Sequence, residues 1–104
     1  MTFEFDAEID RSHPALAGHF PGKPIVPAVV MLAEVSAAIK AAFGSDAEII
    51  RLPAVKFLAP LLPRERCRIV LEPTGATALR FTVTRGVQRI ALGTAEYSRS
   101  APSG

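Results

Sequence analysis

The sequence predicts an α+β fold: an antiparallel sheet of about five strands wrapped around one central apolar helix. Three observations predict it. Residues 28–43 run without glycine or proline between Pro27 and Gly44 and carry only two charges, Glu34 and Lys40. The N-terminus alternates between apolar and acidic residues, and the second half breaks into short alternating runs separated by turns. A strand, a helix, then strands joined by short turns is an α+β order.

Each element follows from its local pattern. From Thr2 to Ile9, Phe3, Phe5, Ala7 and Ile9 fall on one face and Glu4, Asp6 and Glu8 on the other, the period of a half-buried strand near a sheet edge. Residues 10–20 form a loop that runs into the compact turn Gly18-His19-Phe20-Pro21-Gly22, and Pro24 and Pro27 stiffen the approach to the helix. Ala28 to Phe43 is that helix, with Gly44 placed to cap its C-terminus. A helix apolar nearly all round belongs inside a fold. Ile49 to Leu58 reads as a strand with a bulge or bend at Pro53. Cys67 to Leu71, Ala78 to Thr84 and Val87 to Tyr97 are three further strands, with turns at Thr74-Gly75 and Arg85-Gly86. Ser98 to Gly104 is expected to be a flexible tail on a single domain spanning 1–104.

The 104 residues suit one core, and a monomer this small covers an apolar central helix poorly, which favours an oligomer. The net charge of +2 hides an asymmetry, because Arg64, Arg66, Arg68, Arg80, Arg85 and Arg89 all lie in the second half. These fit either ordinary solvated strand faces or a docking patch for an acidic partner. No block of like charges marks a nucleic-acid tail. Cys67 is the only cysteine, so no internal disulfide forms and a reducing compartment is consistent. Glu4, Asp6 and Glu8 interrupt any signal-peptide pattern, and no stretch reaches the ~20 apolar residues of a membrane span, so a cytoplasmic protein is expected.

Few residues offer chemistry. Imidazole titrates near neutrality, so His19 is a candidate general base, with a structural role as the alternative. Gly18 and Gly22 permit another group to come close to it. His13, beside Pro14, reads as structural or capping. Glu34 is the sole acid of the helix, and no cation stands at Ala37 or Ala38 to pair with it. Burial would hold it protonated as a proton donor; exposure would leave it merely solvated. Cys67 reads as a small core residue. Two histidines and one cysteine make no metal-ligand cluster, no glycine-rich phosphate cradle is present, and Ser12 and Ser36 lack the partners of a nucleophile. No cofactor is expected.

The run Gly18-His19-Phe20-Pro21-Gly22, then Pro24, then Val26-Pro27 leading into an apolar helix, resembles the FabA/FabZ type of (3R)-3-hydroxyacyl-acyl-carrier-protein dehydratases, which have the hotdog fold. His13-Pro14-Ala15-Leu16 fits the same pattern, and Val55-Lys56-Phe57-Leu58-Ala59-Pro60 fits it more loosely. The resemblance implies a dimer that eliminates water from a 3-hydroxyacyl thioester of acyl carrier protein or coenzyme A, in fatty-acid or related synthesis. It implies that His19 removes the proton beside the thioester carbonyl. It also implies that Phe20, Pro21, Gly22, Pro27, Ala28 and Ala33 border the substrate, and that the amide at Ala28 polarises the carbonyl. Met31, Val35 and Phe57 would line an acyl tunnel, and the arginines with Lys23 would meet an acidic carrier protein.

Two positions depart from that family. Ala28 stands where glycine is usual; it keeps the N–H but adds a methyl group. The acid that protonates the leaving hydroxyl normally lies fourteen residues after the histidine, where this chain has Ala33, and the nearest carboxylate is Glu34. One residue is about 100° of helix rotation. Either Glu34 takes over as the acid or the acid is missing. In the second case the chain would be an acyl binder or the partner subunit of a dehydratase heterodimer. A hotdog thioesterase is a weaker alternative.

Overall fold

The computed structural model describes residues 1–9 and 26–99. Five strands and one helix follow in the order β1 (Phe3–Glu8), α1 (Ala28–Phe43), β2 (Glu48–Phe57), β3 (Arg66–Gly75), β4 (Ala78–Arg85) and β5 (Gln88–Ser98). They form one antiparallel sheet of order β1-β3-β4-β5-β2 with α1 against one face, the expected α+β fold. The helix bounds match those expected.

Side-chain alternation decides which face is covered. Cys67, Ile69 and Leu71 of β3, Leu79, Phe81 and Val83 of β4, and Ala91, Ala95 and Tyr97 of β5 are buried against Val30, Met31, Val35, Ala38 and Ile39 of α1. Burying each large apolar side chain of this set contributes about 1.5–3 kcal/mol. On the opposite face of β1, Glu4 and Asp6 meet Arg68 at 3.2 and 3.4 Å, and Glu8 meets Arg66 at 3.8 Å. These exposed pairs set the register of an edge strand more than they add stability.

α1 is anchored at its C-terminal end. Gly44, at φ 122°, leaves the helical path while its N–H still donates to Lys40 O at 2.9 Å. Lys40 Nζ donates to Ala47 O at 2.7 Å, tying the last turn to the next connection. Phe43 stacks on Tyr97 at 4.9 Å and meets Phe3 edge-on at 5.1 Å. With that end packed, the N-terminal turn is the part of α1 free to border a site.

Three expectations need correction. The helix is not buried all round: Ala28, Val29, Ala33, Ala37 and Ala41 are exposed, with Val29 at 70%, because the sheet of one chain covers a single side of it. The β3–β4 turn falls at Ala76-Thr77 rather than Thr74-Gly75, because β3 continues through Pro73 to Gly75. β1 pairs with β3 only as far as Leu71, so Pro73 withholds no N–H from that ladder. The last turn likewise falls at Gly86-Val87. The bend at Pro53 appears as register shifts in β2 between Ile49 and Ala54, and β5 ends at Ser98; residues 100–104 lie outside the described residues.

Candidate functional site

The N-terminal end of α1 and the segment leaving β2 enclose a pocket of about 520 Å³. Val26, Pro27, Ala28 and Met31 form one side, and Phe57, Leu58, Ala59, Pro60 and Leu61 the other. The lining is apolar, as expected of a site that holds a hydrocarbon chain. Among the described residues, its polar element is the backbone of α1. Pro27 opens the helix at φ −62° and ψ 151° with no side-chain cap, and its carbonyl accepts from Val30 and Met31 at 3.0 and 3.1 Å. The Ala28 and Val29 amides have no intrahelical acceptor and sit at the positive end of the helix dipole. An oxygen gaining negative charge would be stabilised there.

A bulge positions the second side of the pocket. Between the pairs Val83–Ala91 and Thr84–Arg89, β5 carries one extra residue, Ile90, opposite no partner on β4. Its carbonyl accepts from Leu58 and Ala59 at 2.8 and 3.3 Å, turning the chain inward as it leaves β2. Val26 N–H then donates to Leu61 O at 2.8 Å, closing the two sides together.

The expected site residues divide into three groups. Pro27 and Ala28 line the pocket, joined by Met31 and Phe57; Val35 is fully buried beneath and does not line it. Ala33 lies on the exposed face of α1. Glu34 is half-buried and borders a separate cleft of about 160 Å³ with Phe5, Asp6, Ala7, Ala37, Ala41 and Ile69, along β1. His19, Phe20, Pro21 and Gly22, like His13 and Lys23, lie outside the described residues.

Cys67 is core, as its place in an alternating strand implied. Burial pushes its thiol above the ordinary range, and the carboxylates of Glu34 and Asp6 push the same way. It is therefore a poor nucleophile at neutral pH. Leu61 is a pocket wall outside every motif, while Val26, Leu58, Ala59 and Pro60 belong to the motifs without having been expected to line the site. The Ala59-Pro60 pair was a usable signal, since a proline just after a strand stops pairing and frees the chain to turn.

The arginines are mostly engaged. Arg66 and Arg68 pair with β1, Arg80 with Glu72 at 2.7 Å, and Arg85 with Glu65 at 2.8 Å. Among the described residues, Arg64, Arg89 and Lys56 form no ion pair. Nor, among them, is any helix long and apolar enough to cross a membrane.

Comparison with known proteins places this geometry. A family model described as ApeI-like, ApeI dehydratase, matches residues 1–94. A chain of the dehydratase heterocomplex ApeI:P from Xenorhabdus doucetiae is 20% identical with a TM-score of 0.81, covering 94% of this chain and 88% of that one. An uncharacterized protein from Erwinia carotovora subsp. atroseptica is 24% identical with a TM-score of 0.76, covering 93% and 82%. A 1,4-dihydroxy-2-naphthoyl-CoA thioesterase from Synechocystis shares the fold at 13% identity and a TM-score of 0.67, covering 100% and 90%. The hotdog architecture is thus shared with dehydratases and thioesterases alike. No curated protein matches the chain by sequence.

Proposed function

Because the chain belongs to the ApeI-like dehydratase family, we propose that it eliminates water from a 3-hydroxyacyl thioester to give the 2-enoyl thioester, in the cytoplasm, in fatty-acid or related acyl-chain synthesis. The observation that carries this reading is the apolar pocket opening onto uncapped amides at the start of α1. The acyl chain lies against Met31, Phe57 and Leu61, and the thioester carbonyl oxygen meets the amide of Ala28. His19 takes the proton from the carbon beside that carbonyl. The electron pair left behind forms the new double bond as the C–O bond at the third carbon breaks, and a proton delivered to the departing hydroxyl releases water.

That last proton has two candidate sources. Glu34 is the only acid on α1, but it borders a cleft separate from the pocket. The alternative is a carboxylate brought by a second chain to the open face around Ala33. The location of Glu34 favours the second source, and with it a partner subunit that completes the site. Ala33→Asp, which places an acid on that face, is then expected to raise enoyl formation about tenfold or more, and Glu34→Ala to lower it less than about tenfold, well short of the roughly hundredfold or more that a general acid contributes. A loss of two orders in Glu34→Ala would instead make Glu34 the donor.

The surface that would receive a second subunit is β2. It is one of the two outer strands of the sheet, and its burial pattern is exposed almost throughout. Ile50 is 61% exposed, and Leu52, Phe57 and Leu58 are exposed with it. An exposed apolar edge strand invites pairing with another chain. A homodimer is the simplest occupant, and a heterodimer with a related chain is the alternative. Sedimentation analysis is expected to find a dimer for the parent and a monomer for Ile50→Asp with Leu52→Asp; a monomeric parent would contradict this. Lys56, Arg64 and Arg89, three of the cations without an ion pair among the described residues, flank the segments that build the pocket. Their position supports an acyl carrier protein over free coenzyme A as the bearer of the thioester.

A further inference from the structure

The wall of the pocket from Leu58 to Leu61 lies outside every strand, yet each of its residues is pinned. Leu58 and Ala59 donate to Ile90 O, and Leu61 accepts from Val26. The remaining residue, Pro60, has no N–H to donate, and its carbonyl accepts from Arg85 Nη1 at 3.0 Å. Arg85 stands at the end of β4, and its guanidinium has three acceptors. Nη1 also donates to Glu65 Oε1 at 2.8 Å, and Nη2 donates to Gln88 Oε1 at 2.6 Å. Glu65 Oε1 accepts in turn from the Leu62 amide at 2.8 Å.

This arrangement differs from the other ion pairs of the sheet. The Arg85 and Glu65 side chains are only 29% and 31% exposed, against 60% and 48% for Arg80 and Glu72. A charge-assisted bond in a half-buried setting is stronger than a solvated one. A planar guanidinium, with five donors in fixed directions, serves three acceptors on separate segments better than a compact ammonium does. Across this one residue, β4 is tied to the pocket wall at Pro60 and, through Glu65 and Leu62, to the chain that leaves it. Arg64, between those anchors, adopts a left-handed φ of 71° while its N–H donates to Ile9 O at 2.9 Å. A non-glycine residue persists there only when its surroundings hold it.

We infer that Arg85 is a positioning residue that fixes the wall at Pro60 and thereby sets the width of the acyl pocket, with Glu65 orienting it. The role of the pocket in holding an acyl chain rests on the function proposed above; the restraint of the wall does not.

The test pairs two measurements on the parent, Arg85→Ala, Arg85→Lys and the control Arg80→Ala. The first is amide hydrogen exchange at Val26, Leu58, Ala59 and Leu62. The second is fluorescence titration with the probe 11-(dansylamino)undecanoic acid. Arg85→Ala is expected to speed exchange at those four amides about tenfold, the size of one lost hydrogen bond to a charged group, with the amides of β3 and β4 unchanged. Its affinity for the probe should fall by about the same factor. Arg85→Lys should fall between, and Arg80→Ala should match the parent. Unchanged exchange at the wall in Arg85→Ala overturns the inference, as does equal acceleration throughout the sheet or the same loss in Arg80→Ala. A parent that binds no probe refutes the acyl-pocket reading instead, and the exchange data alone then decide the role of Arg85.

Discussion

Enoyl formation by the His19→Ala variant is expected to fall by about two to four orders of magnitude, the usual contribution of a positioned general base. The other histidine, His13, is not expected to share that task, so His13→Ala should retain most of the rate. The proton beside a thioester carbonyl is weakly acidic, and the dipole at the start of α1 lowers the barrier only after a base has begun to take it. Thermal unfolding of His19→Ala should match the parent, which separates lost chemistry from lost folding. A variant that keeps its full rate would move the base to another group.

Gly93→Ala is expected to destabilise the chain by about 3 kcal/mol, near the upper end for overpacking. Gly93 lies mid-strand in β5, between Phe81 of β4 and Val55 of β2. A methyl group added there would run into the Ala54 carbonyl oxygen and would stand 2.7 Å from Cζ of the fully buried Phe81. The ring has no free space to yield, and moving Ala54 shifts the backbone of β2 just before the pocket. The fall in Tm should be roughly 10–20 °C for a domain of this size. An unchanged Tm would mean that β2 does not pass so close to β5.

Gly93 also shows where sequence reading stops. Its strand was legible from alternation, but nothing in the pattern distinguishes a glycine that makes room for a neighbouring ring from one that merely weakens a strand. The same limit applies to Ile90. Alternation through Val87 to Tyr97 marks one strand, while the extra residue at Ile90 depends on how β4 and β5 pair at long range. That bulge turns the chain after β2 toward α1, so half of the pocket wall stayed hidden. The helix was legible to the residue because Pro27 and Gly44 bracket it and Ala-rich sequence fills it. What the helix faces was not legible, since an all-apolar helix reads as buried whether its cover comes from its own sheet or from another chain.

The site shows the same division. Pro27, Ala28, Met31 and Phe57 were reachable from the motif around the helix start, and the structure brings them together. The rotation between Ala33 and Glu34 was also legible as a consequence of helix geometry: adjacent residues point about 100° apart. The structure adds the destinations, an open face for Ala33 and a cleft along β1 for Glu34. The family that matches is the ApeI-like dehydratases, so the FabA/FabZ resemblance held at the level of a dehydratase on a hotdog fold. Nothing in the sequence sets Arg85 apart from the other arginines of the second half, because its three acceptors lie on separate segments that meet only in the folded chain.

Elimination of water in this pocket is tested most directly by incubating the purified protein with a 3-hydroxyacyl thioester of acyl carrier protein. The mass of the acyl-carrier product is the readout. Loss of one water with the thioester intact, giving the 2-enoyl form, is the predicted result. Release of free 3-hydroxy acid and carrier thiol, or recovery of unchanged substrate, would contradict it.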